Sequence, residues 1–282
     1  MAQLKLTILS ENRVDNPLLI AEQGLSIYVE MEKHNLLFDM GQENSICHNS
    51  AHLGLDMEKI DFMVLSHGHY DHGNGLIHYV KKYNDATIVA HSSVFNKKYS
   101  VLDDEKKYIG LAFTQRDLEA QGAHFIFKSQ PYEIVPGAIF SGEIPVITEY
   151  ENIDEKYVER ILESDIHDEL HDDAALYLKT DKGLVILLGC GHKGIINTVK
   201  YGMRKTNMHK VHAIVGGMHL KTASDERIDK IIHALKEIEF DYIFPLHCTG
   251  FNAISKFRYE FGKKVGLLNV GDSKSVEGRR PG

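Results

Sequence analysis

Four side chains that can bind a metal ion lie within six residues of one segment, Ser66–Gly73, which reads Ser-His-Gly-His-Tyr-Asp-His-Gly. They are His67, His69, Asp71 and His72. Imidazole nitrogens and carboxylate oxygens are good ligands for Zn, Fe or Mn, and the glycines let the backbone fold around an ion. The first two side chains are expected to face one ion, and the last two a second ion about 3.5–4 Å away. The alternative, an exposed polar turn that happens to be rich in histidine, is disfavoured by this spacing.

One or two divalent ions bound there would polarise a phosphoryl or carbonyl oxygen and lower the pKa of bound water towards ~7. Hydrolysis is therefore the chemistry that these residue types favour. Asp71 is the candidate catalytic residue of the segment, because a carboxylate beside the bound water can guide its proton. His219, which follows Gly-Gly-Met, is a second candidate, as an acid or as a ligand for a substrate phosphate. An ordinary loop histidine is the equal alternative for His219.

The elements around the segment must bring its side chains to a shared edge. Runs rich in Ile, Val, Leu and Phe predict strands, and apolar residues at helical spacing predict helices. The predicted strands are 4–9, 26–31, 35–39, 61–66, 86–90, 124–127, 174–179, 184–188, 211–215 and 241–245, with short strands within 132–146. The predicted helices are 75–83, a short helix after the capping box of Thr114 and Asp117, 195–204 and 224–239. This order favours two packed sheets with helices outside over a doubly wound parallel sheet.

No linker rich in Pro, Gly or Ser divides the chain, so we expect a single domain over residues 1–272 and a polar tail over residues 273–282. The acidic stretch 149–173 shows no clear periodicity and is interpreted as a lid or an insertion.

Composition narrows the partners and the compartment. Asp and Glu number 40 against 32 Lys and Arg, a formal charge of −8, which argues against a nucleic-acid partner. No run approaches the ~18 consecutive apolar residues of a membrane span, and the start lacks the pattern of a secretory signal. We therefore expect a cytoplasmic protein whose partner is a small-molecule substrate. The three cysteines, Cys47, Cys190 and Cys248, are too few for a disulfide framework and are expected to be reduced.

The His-x-His-x-Asp-His pattern of residues 67–72 resembles the signature of the metallo-β-lactamase superfamily. The resemblance implies an α/β fold, a four-layer αββα sandwich in which two mixed β-sheets are flanked by helices. It also implies one or two divalent metal ions at one edge of the sheets, with further ligands from later loops. His192 and His247 each follow an apolar run and match that placement, while His171 competes with His192 for its role.

The resemblance places a bridging Asp after the predicted strand 184–188, where this chain has Cys190. Two alternatives follow. In one, Cys190 binds the metal as a thiolate, a soft ligand that favours Zn or Fe. In the other, Cys190 is a buried bystander, and a carboxylate such as Asp172 or Asp173 approaches the metal.

Residues 189–198, Gly-Cys-Gly-His-Lys-Gly-Ile-Ile-Asn-Thr, are similar to a motif of one subfamily, that of 7,8-dihydropterin-6-methyl-4-(β-D-ribofuranosyl)aminobenzene-5′-phosphate synthase. The similarity extends to residues 37–42, 215–220 and 245–250, and it favours His192 over His171 as the ligand. It also implies a transfer reaction, in which an aryl ring attacks a pterin carbon and pyrophosphate leaves.

Three functions are consistent with these residues. The first is a metal-dependent hydrolase that acts on a phosphorylated small molecule. The second is a pterin transferase similar to the named synthase. The third is a sensor that binds metal and ligand without turnover. The same metal ligands serve all three functions, so the ligands do not choose between them.

Two further predictions concern the surroundings of the centre. Asp39 ends a predicted strand and is expected to accept the N–H of a ligand histidine, with a turn-forming role as the alternative. Lys193 and Asn197 lie at the start of the predicted helix 195–204 and are expected to hold an anion together with the helix N-terminus.

Overall fold

Two large β-sheets packed face to face carry the fold in the computed structural model, which describes residues 4–276. The strands are β1 (Leu4–Ser10), β2 (Ser26–Met31), β3 (His34–Phe38), β4 (Phe62–Val64), β5 (Ala86–Ala90), β6 (Lys97–Leu102), β7 (Glu105–Tyr108), β8 (Ala123–Phe127), β9 (Tyr132–Val135), β10 (Ala138–Phe140), β11 (Tyr157–Ile161), β12 (Ser164–His167), β13 (Ala175–Thr180), β14 (Gly183–Leu188), β15 (Val211–Gly217), β16 (Phe240–Leu246) and β17 (Ser273–Val276). The α-helices are α1 (Ser45–Leu53), α2 (Tyr70–Gly73), α3 (Leu76–Tyr83), α4 (Gln115–Glu119), α5 (Ile195–Thr206), α6 (Asp225–Lys236) and α7 (Phe251–Phe261). Every strand and helix predicted from periodicity is present, with ends shifted by up to a few residues.

The first large sheet has the strand order β17-β1-β2-β3-β4-β5-β8, and the second has the order β16-β15-β14-β13-β10-β9. Each sheet is mixed, because β3, β4, β5 and β8 run parallel in the first and β14, β15 and β16 run parallel in the second. Their inner faces meet in one apolar core that includes Leu6, Phe38, Leu176 and Val215.

Helices cover the outer face of each sheet. Helices α1 and α3 pack on the first sheet through residues such as Ile46 and Val80. Helices α5, α6 and α7 cover the second through residues such as Val199, Ile231 and Phe257. The predicted four-layer αββα sandwich is therefore confirmed. No helix within residues 4–276 has the length and apolarity that a bilayer crossing requires.

Local sequence features explain why these strands and helices form where the sequence predicts them. Strand β14 is buried along its whole length, as expected for a central strand covered on both faces. Ser224 caps the start of helix α6, because its hydroxyl accepts the N–H of Arg227 at 3.2 Å. The helix buries an isoleucine-rich stripe. The capping box of Thr114 and Asp117 at the start of α4 is also present.

Three helices were not predicted: α2, which has only four residues, and α1 and α7, which do not carry a clean apolar stripe. Helix α1 turns polar side chains inward, and the Asn49 amide donates to the Leu9 carbonyl at 2.8 Å. Helix α7 leaves Phe251 and Tyr259 almost fully exposed, so its apolar residues do not share one face. In α1 and α7, tertiary contacts decide the fold where the pattern is ambiguous.

A third, four-stranded antiparallel sheet with the order β12-β11-β6-β7 includes part of the acidic stretch 149–173. Strands β11 and β12 belong to that stretch, and they pair with a hairpin from residues 97–108 that sequence patterns left unassigned. Strands β7 and β12 are exposed along their whole length, which explains the absence of an alternating apolar pattern. The stretch thus forms part of a paired sheet, and its interpretation as a lid or an insertion stays a prediction.

The sheet of β1 also extends past the boundary expected for the core. Strand β17 lies within the residues assigned to the polar tail, yet it pairs antiparallel with β1, with Leu4 opposite Val276. The expected start of the tail at residue 273 was therefore wrong. Residues 277–282 of the predicted tail lie outside the described residues.

A buried ion cluster ties the third sheet to the rest of the molecule. The Lys98 ammonium, on β6, donates to Asp168 and Asp172 at 2.9 Å each, and all three side chains are buried. Burial alone would raise the pKa of Asp172, but the charge and hydrogen bond of Lys98, together with the Gly68 N–H and the charge of His69, outweigh burial and lower it. Asp172 also accepts the backbone N–H of Gly68 at 2.8 Å, so the cluster reaches the histidine-rich segment.

We expect Lys98→Met to lower the free energy of unfolding by about 3–5 kcal/mol at neutral pH, because it leaves two buried carboxylates without their cation. Since the pKa of Asp172 is lowered in the folded protein, the cluster stabilises the fold above the carboxylate's unfolded pKa and loses that effect as the pH falls. The difference from the native protein should therefore shrink below about pH 4 in urea unfolding curves. Lys97→Met, at the exposed neighbouring position, is the control. If Lys98→Met lowered the free energy of unfolding by no more than Lys97→Met does, the stabilising role of the cluster would be contradicted.

Candidate metal centre

The carboxyl ends of β4, β14 and β16 bring the predicted ligands to one edge of the two sheets. The loop after β4 carries His67 and His69, and the short helix α2 carries Asp71 and His72. His192 lies four residues after the end of β14, and His247 directly follows β16. Gly68 is required in this loop, because a Cβ there would lie 2.0 Å from the Val94 carbonyl oxygen. The loop after β4 and helix α2 thus bring the side chains of the histidine-rich segment into one pocket.

The first donor cluster consists of His67, His69 and His192, whose ligand atoms lie within 4.8 Å of one another. Nε2 of His67 is 3.0 Å from Nδ1 of His69. All three side chains are buried. The structure therefore brings His192, rather than His171, to the position of the third histidine.

The second donor cluster consists of Asp71, His72 and His247. Nε2 of His247 is 3.2 Å from Nε2 of His72 and 3.4 Å from a carboxylate oxygen of Asp71. Two contacts fix the position of His247. Its backbone N–H donates to Glu11 at 2.8 Å, and its Nδ1 lies 2.9 Å from the Asn12 side-chain oxygen.

Cys190 lies between the two clusters. Its sulfur is 3.2 Å from Nε2 of His72 and groups with His67 and His72 on one side and with His192 and His219 on another. The thiol is buried, and burial raises its pKa well above the usual range. Cys190 was expected to be either a metal ligand or a buried bystander, and the geometry places its sulfur among the donor atoms.

The two carboxylates weighed as substitutes for Cys190 have other partners. Asp172 is committed to Lys98 and to the Gly68 N–H. Asp173 accepts the backbone N–H of Lys193 at 2.8 Å, and burial raises its pKa to about 6. Neither falls in a donor cluster of residues 4–276. His171 is half-exposed and lies 3.6 Å from Glu143.

Unpaired buried nitrogens test whether a cation fits this pocket. Within residues 4–276, Nε2 of His69 and both ring nitrogens of His192 are buried without a hydrogen-bond partner. Leaving such atoms unpaired costs about 1–3 kcal/mol each. A set of imidazoles, one carboxylate and one thiol is a suitable donor set for Zn or Fe. The residues present therefore fit a divalent metal ion.

Electrostatics keep the first cluster ready to bind a cation. Burial lowers the pKa of His67 and His192 well below the usual range, and it lowers the pKa of His69 to about 3. These rings are neutral at pH 7, with lone pairs free to ligate.

Asp71 and His247 in the second cluster form an ion pair in this structure. Burial raises the pKa of Asp71, but the hydrogen bond to His247 and the charges of His72, His247 and His69 together outweigh burial and hold that pKa well below the usual range. Burial lowers the pKa of His247, while the neighbouring Cys248 and Asp71 raise it to about 9. A metal bound there would replace this proton on His247.

Asp39 supports the centre from behind, as predicted. Its buried carboxylate lies 2.7 Å from Nδ1 of His72 and accepts the Ser66 N–H and hydroxyl at 2.7 Å each. Ser66 Oγ in turn lies 2.9 Å from Nδ1 of His67. One carboxylate therefore orients a ligand from each cluster, directly for His72 and through Ser66 for His67.

The expected anion site at the start of α5 was wrong, because the chain fills it with its own carboxylate. Glu151 accepts the backbone N–H groups of Ile196 and Asn197 at 3.0 Å each. The Asn197 amide bonds to the backbone around it, and the Lys193 ammonium donates to the Glu169 carbonyl. The helix N-terminus is thus satisfied internally.

His219 lies over the first cluster. Its ring centroid is 4.2 Å from that of His192, and its Nε2 is 3.0 Å from the Tyr157 hydroxyl. Tyr157 starts β11 of the third sheet, so sequence patterns had no means of placing it near the histidine-rich segment.

A cleft of about 310 Å³ opens over both clusters and reveals residues that sequence reasoning missed. The third sheet and its flanks supply Lys107, Lys156 and Tyr157 to its wall, and Lys221 and Cys248 complete it. Cys248 follows His247 directly in the sequence, which was an available signal. The lysines carried none, because isolated lysines are ordinary surface residues.

The chain is similar to known proteins in its sequence and in its fold. Residues 19–193 match the model of the metallo-β-lactamase superfamily. The chain is 32% identical over 266 residues to 7,8-dihydropterin-6-methyl-4-(β-D-ribofuranosyl)-aminobenzene-5′-phosphate synthase of Methanocaldococcus jannaschii, covering 89% of each chain. It is 33% identical over 239 residues to an uncharacterised protein of the same archaeon, covering 84% of this chain and 87% of the other. The crystal structure of a metal-dependent hydrolase of the β-lactamase superfamily aligns with a TM-score of 0.84 at 26% identity, covering 97% of this chain and 99% of that one.

We expect Asp39→Asn to weaken Zn binding by about 10- to 100-fold, because the amide no longer fixes the orientation and charge of the ligand histidines. Asn tolerates the left-handed backbone that Asp39 adopts, with φ 56°, so the substitution adds no backbone strain. Competition with a chromophoric chelator measures the dissociation constant, with circular dichroism as the folding check. Asp61→Asn, at a partly exposed carboxylate, is the matched control. Equal dissociation constants for the two variants would contradict the role of Asp39.

Proposed function

The chain belongs to the metallo-β-lactamase superfamily, and from this premise we propose that it is a metal-dependent hydrolase acting on a phosphorylated small molecule. The observation that carries the substrate class is the charge of the cleft. Lys107, Lys156 and Lys221 line it, and among the described residues the one carboxylate in its wall is Asp71, a member of the second donor cluster. A cleft with this charge attracts an anion.

The donor set divides between two ions. His67, His69 and His192 would hold one, and Asp71, His72 and His247 the other, with Cys190 between them. Divalent ions bound there would supply Lewis-acid activation of a phosphoryl oxygen and of water.

Side chains around the clusters perform the remaining tasks. Asp71 is placed to accept the proton of an attacking water, since its carboxylate faces the cleft beside His247. His219 and Tyr157 form a hydrogen-bonded pair that packs against His192 and lines the cleft, where they can donate to a phosphoryl or leaving-group oxygen. The lysines would neutralise the substrate phosphate and orient it.

A pterin transferase is the second candidate, favoured by the 32% identity with the synthase over 89% of each chain. In that reaction a ribosylaminobenzene phosphate attacks a pterin methylene carbon, the carbon–oxygen bond to the leaving pyrophosphate breaks, and the attacking atom gives up its proton. The same lysines would hold the phosphate groups. The relatives named as a hydrolase and as a synthase both favour an enzyme over a sensor without turnover.

Metal content tests the centre itself. We expect near two equivalents of Zn, Fe or Mn per chain by elemental mass spectrometry after reconstitution of the native protein and removal of free metal. His67→Ala removes a donor of the first cluster, so we expect a loss of at least one equivalent. His124→Ala, at an exposed position of β8, should retain the native content. Metal-free protein after reconstitution with all three metals would refute the proposed centre.

Turnover separates the two candidate reactions. The hydrolase should cleave bis(4-nitrophenyl) phosphate with loaded metal and no second substrate. The transferase should release pyrophosphate when the pterin diphosphate and the ribosylaminobenzene phosphate are both present, and not with either one alone. Pyrophosphate release that requires both substrates, without diester cleavage, would replace the hydrolase by the transferase.

We expect Lys156→Met to raise the KM for the phosphorylated substrate by about 10-fold while kcat changes little, because the lost charge acts mainly on substrate binding. Steady-state kinetics of the metal-loaded variant measure both constants. Lys205→Met, in the last turn of α5 and outside the cleft, is the control. A KM equal to that of the control variant would remove Lys156 from the substrate site.

A further inference from the structure

The proposed function leaves one potential metal donor of the cleft without a role, the thiol of Cys248. This residue lies in the short 3₁₀ turn His247–Thr249, at the carboxyl end of β16. Ligand atoms of Cys190, His247 and Cys248 lie within 4.8 Å of one another, and Cys248 lines the cleft. The sulfurs of Cys190 and Cys248, 58 residues apart in the chain, therefore lie together beside the second cluster, and the Cys248 sulfur is 3.5 Å from the Cys190 carbonyl oxygen.

The surroundings of Cys248 hold its sulfur in place and suit a thiolate. The backbone N–H of His219 donates to the sulfur at 3.3 Å, a contact that stabilises negative charge on it. A Cβ on Gly217 would lie 2.8 Å from the same sulfur, so glycine at that position leaves the space that the thiol occupies. Two neighbouring elements thus position this sulfur.

We propose that Cys190 and Cys248 are both thiolate donors to the metal centre and that the pair makes the centre select thiophilic divalent ions over Mn²⁺. This inference rests on the metal centre of the proposed function and deepens it. Thiolates bind Zn²⁺, Co²⁺ and Fe²⁺ well, whereas Mn²⁺ prefers oxygen ligands. The third cysteine, Cys47, packs in the apolar layer under α1 and offers a control far from the cleft.

Cobalt spectroscopy tests the proposal independently of activity. Protein loaded with Co²⁺ without oxygen should show visible ligand-field bands from the whole donor set and a near-ultraviolet charge-transfer band from thiolate sulfur. We expect Cys248→Ser and Cys190→Ser each to lose about half of the charge-transfer band, and Cys47→Ser to lose none. Retention of the ligand-field bands in the two cleft variants shows that they still fold and bind cobalt.

Metal competition measures the selectivity. We expect Cys248→Ser to reduce the ratio of Co²⁺ to Mn²⁺ affinity by about 10-fold or more, because a sulfur donor is replaced by oxygen. Cys47→Ser should keep the native ratio. An unchanged ratio and an unchanged charge-transfer band in Cys248→Ser would overturn the proposal.

Alkylation of the native protein supplies a test that needs no variant. With Zn²⁺ bound, we expect Cys190 and Cys248 to resist iodoacetamide, and after chelation we expect Cys248, the more exposed of the two, to react. Peptide mass spectrometry identifies the modified residue. Equal reaction of Cys248 with and without Zn²⁺ would overturn the proposal.

The cobalt experiment also separates this inference from the proposed function. Ligand-field bands without a charge-transfer band would overturn the thiolate pair and leave the metal centre intact. Absence of bound cobalt would overturn both.

Discussion

The structure depends on a set of donor atoms that face one another in a buried pocket. Ligand atoms of His67, His69 and His192 lie within 4.8 Å of one another, and buried nitrogens with no partner among the described residues are costly. A cation is the chemical species that turns this arrangement from unfavourable to favourable. The surrounding fold can be understood as the scaffold that holds these side chains together.

That scaffold works through carboxylates that are themselves outside the donor clusters. Asp39 fixes His72 directly and His67 through Ser66, while Glu11 holds the backbone of His247. Asp172 accepts the backbone N–H of Gly68, which lies between His67 and His69, and it pairs with the Lys98 ammonium. Buried charges of this kind are costly alone, so each is paired or bonded to several donors. The result is a rigid pocket in which small changes behind the ligands are expected to reach the metal.

The third sheet links substrate recognition to this scaffold. Lys98 anchors its strand β6 to the histidine-rich segment, and the same sheet and its flanks carry Lys107, Lys156 and Tyr157 into the cleft. A small apolar cluster of Ile109, Tyr157 and Leu170 packs beneath it. The sandwich thus supplies the donors, and the third sheet supplies much of the wall that a substrate would meet. Relatives with the same sandwich can differ in chemistry through such an added wall.

The sequence by itself determined the histidine-rich segment, the strands that end beside it and the helices with clean apolar stripes, and it offered Asp39 as a partner of a ligand histidine with a turn-forming role as the alternative. These features depend on spacing within a few residues and on local periodicity, which one chain displays directly. The tertiary structure brought His192, which the sequence similarity already favoured over His171, into the first cluster. Only the tertiary structure showed that Asp39 contacts His72, placed Cys190 rather than Asp172 or Asp173 among the donors, and showed that Glu151 occupies the start of α5. It also revealed the third sheet, whose exposed strands carry no alternating pattern, and β17, which pairs with β1 from the opposite end of the chain. Each of these outcomes depends on contacts between residues far apart in the chain, and no local pattern encodes such contacts.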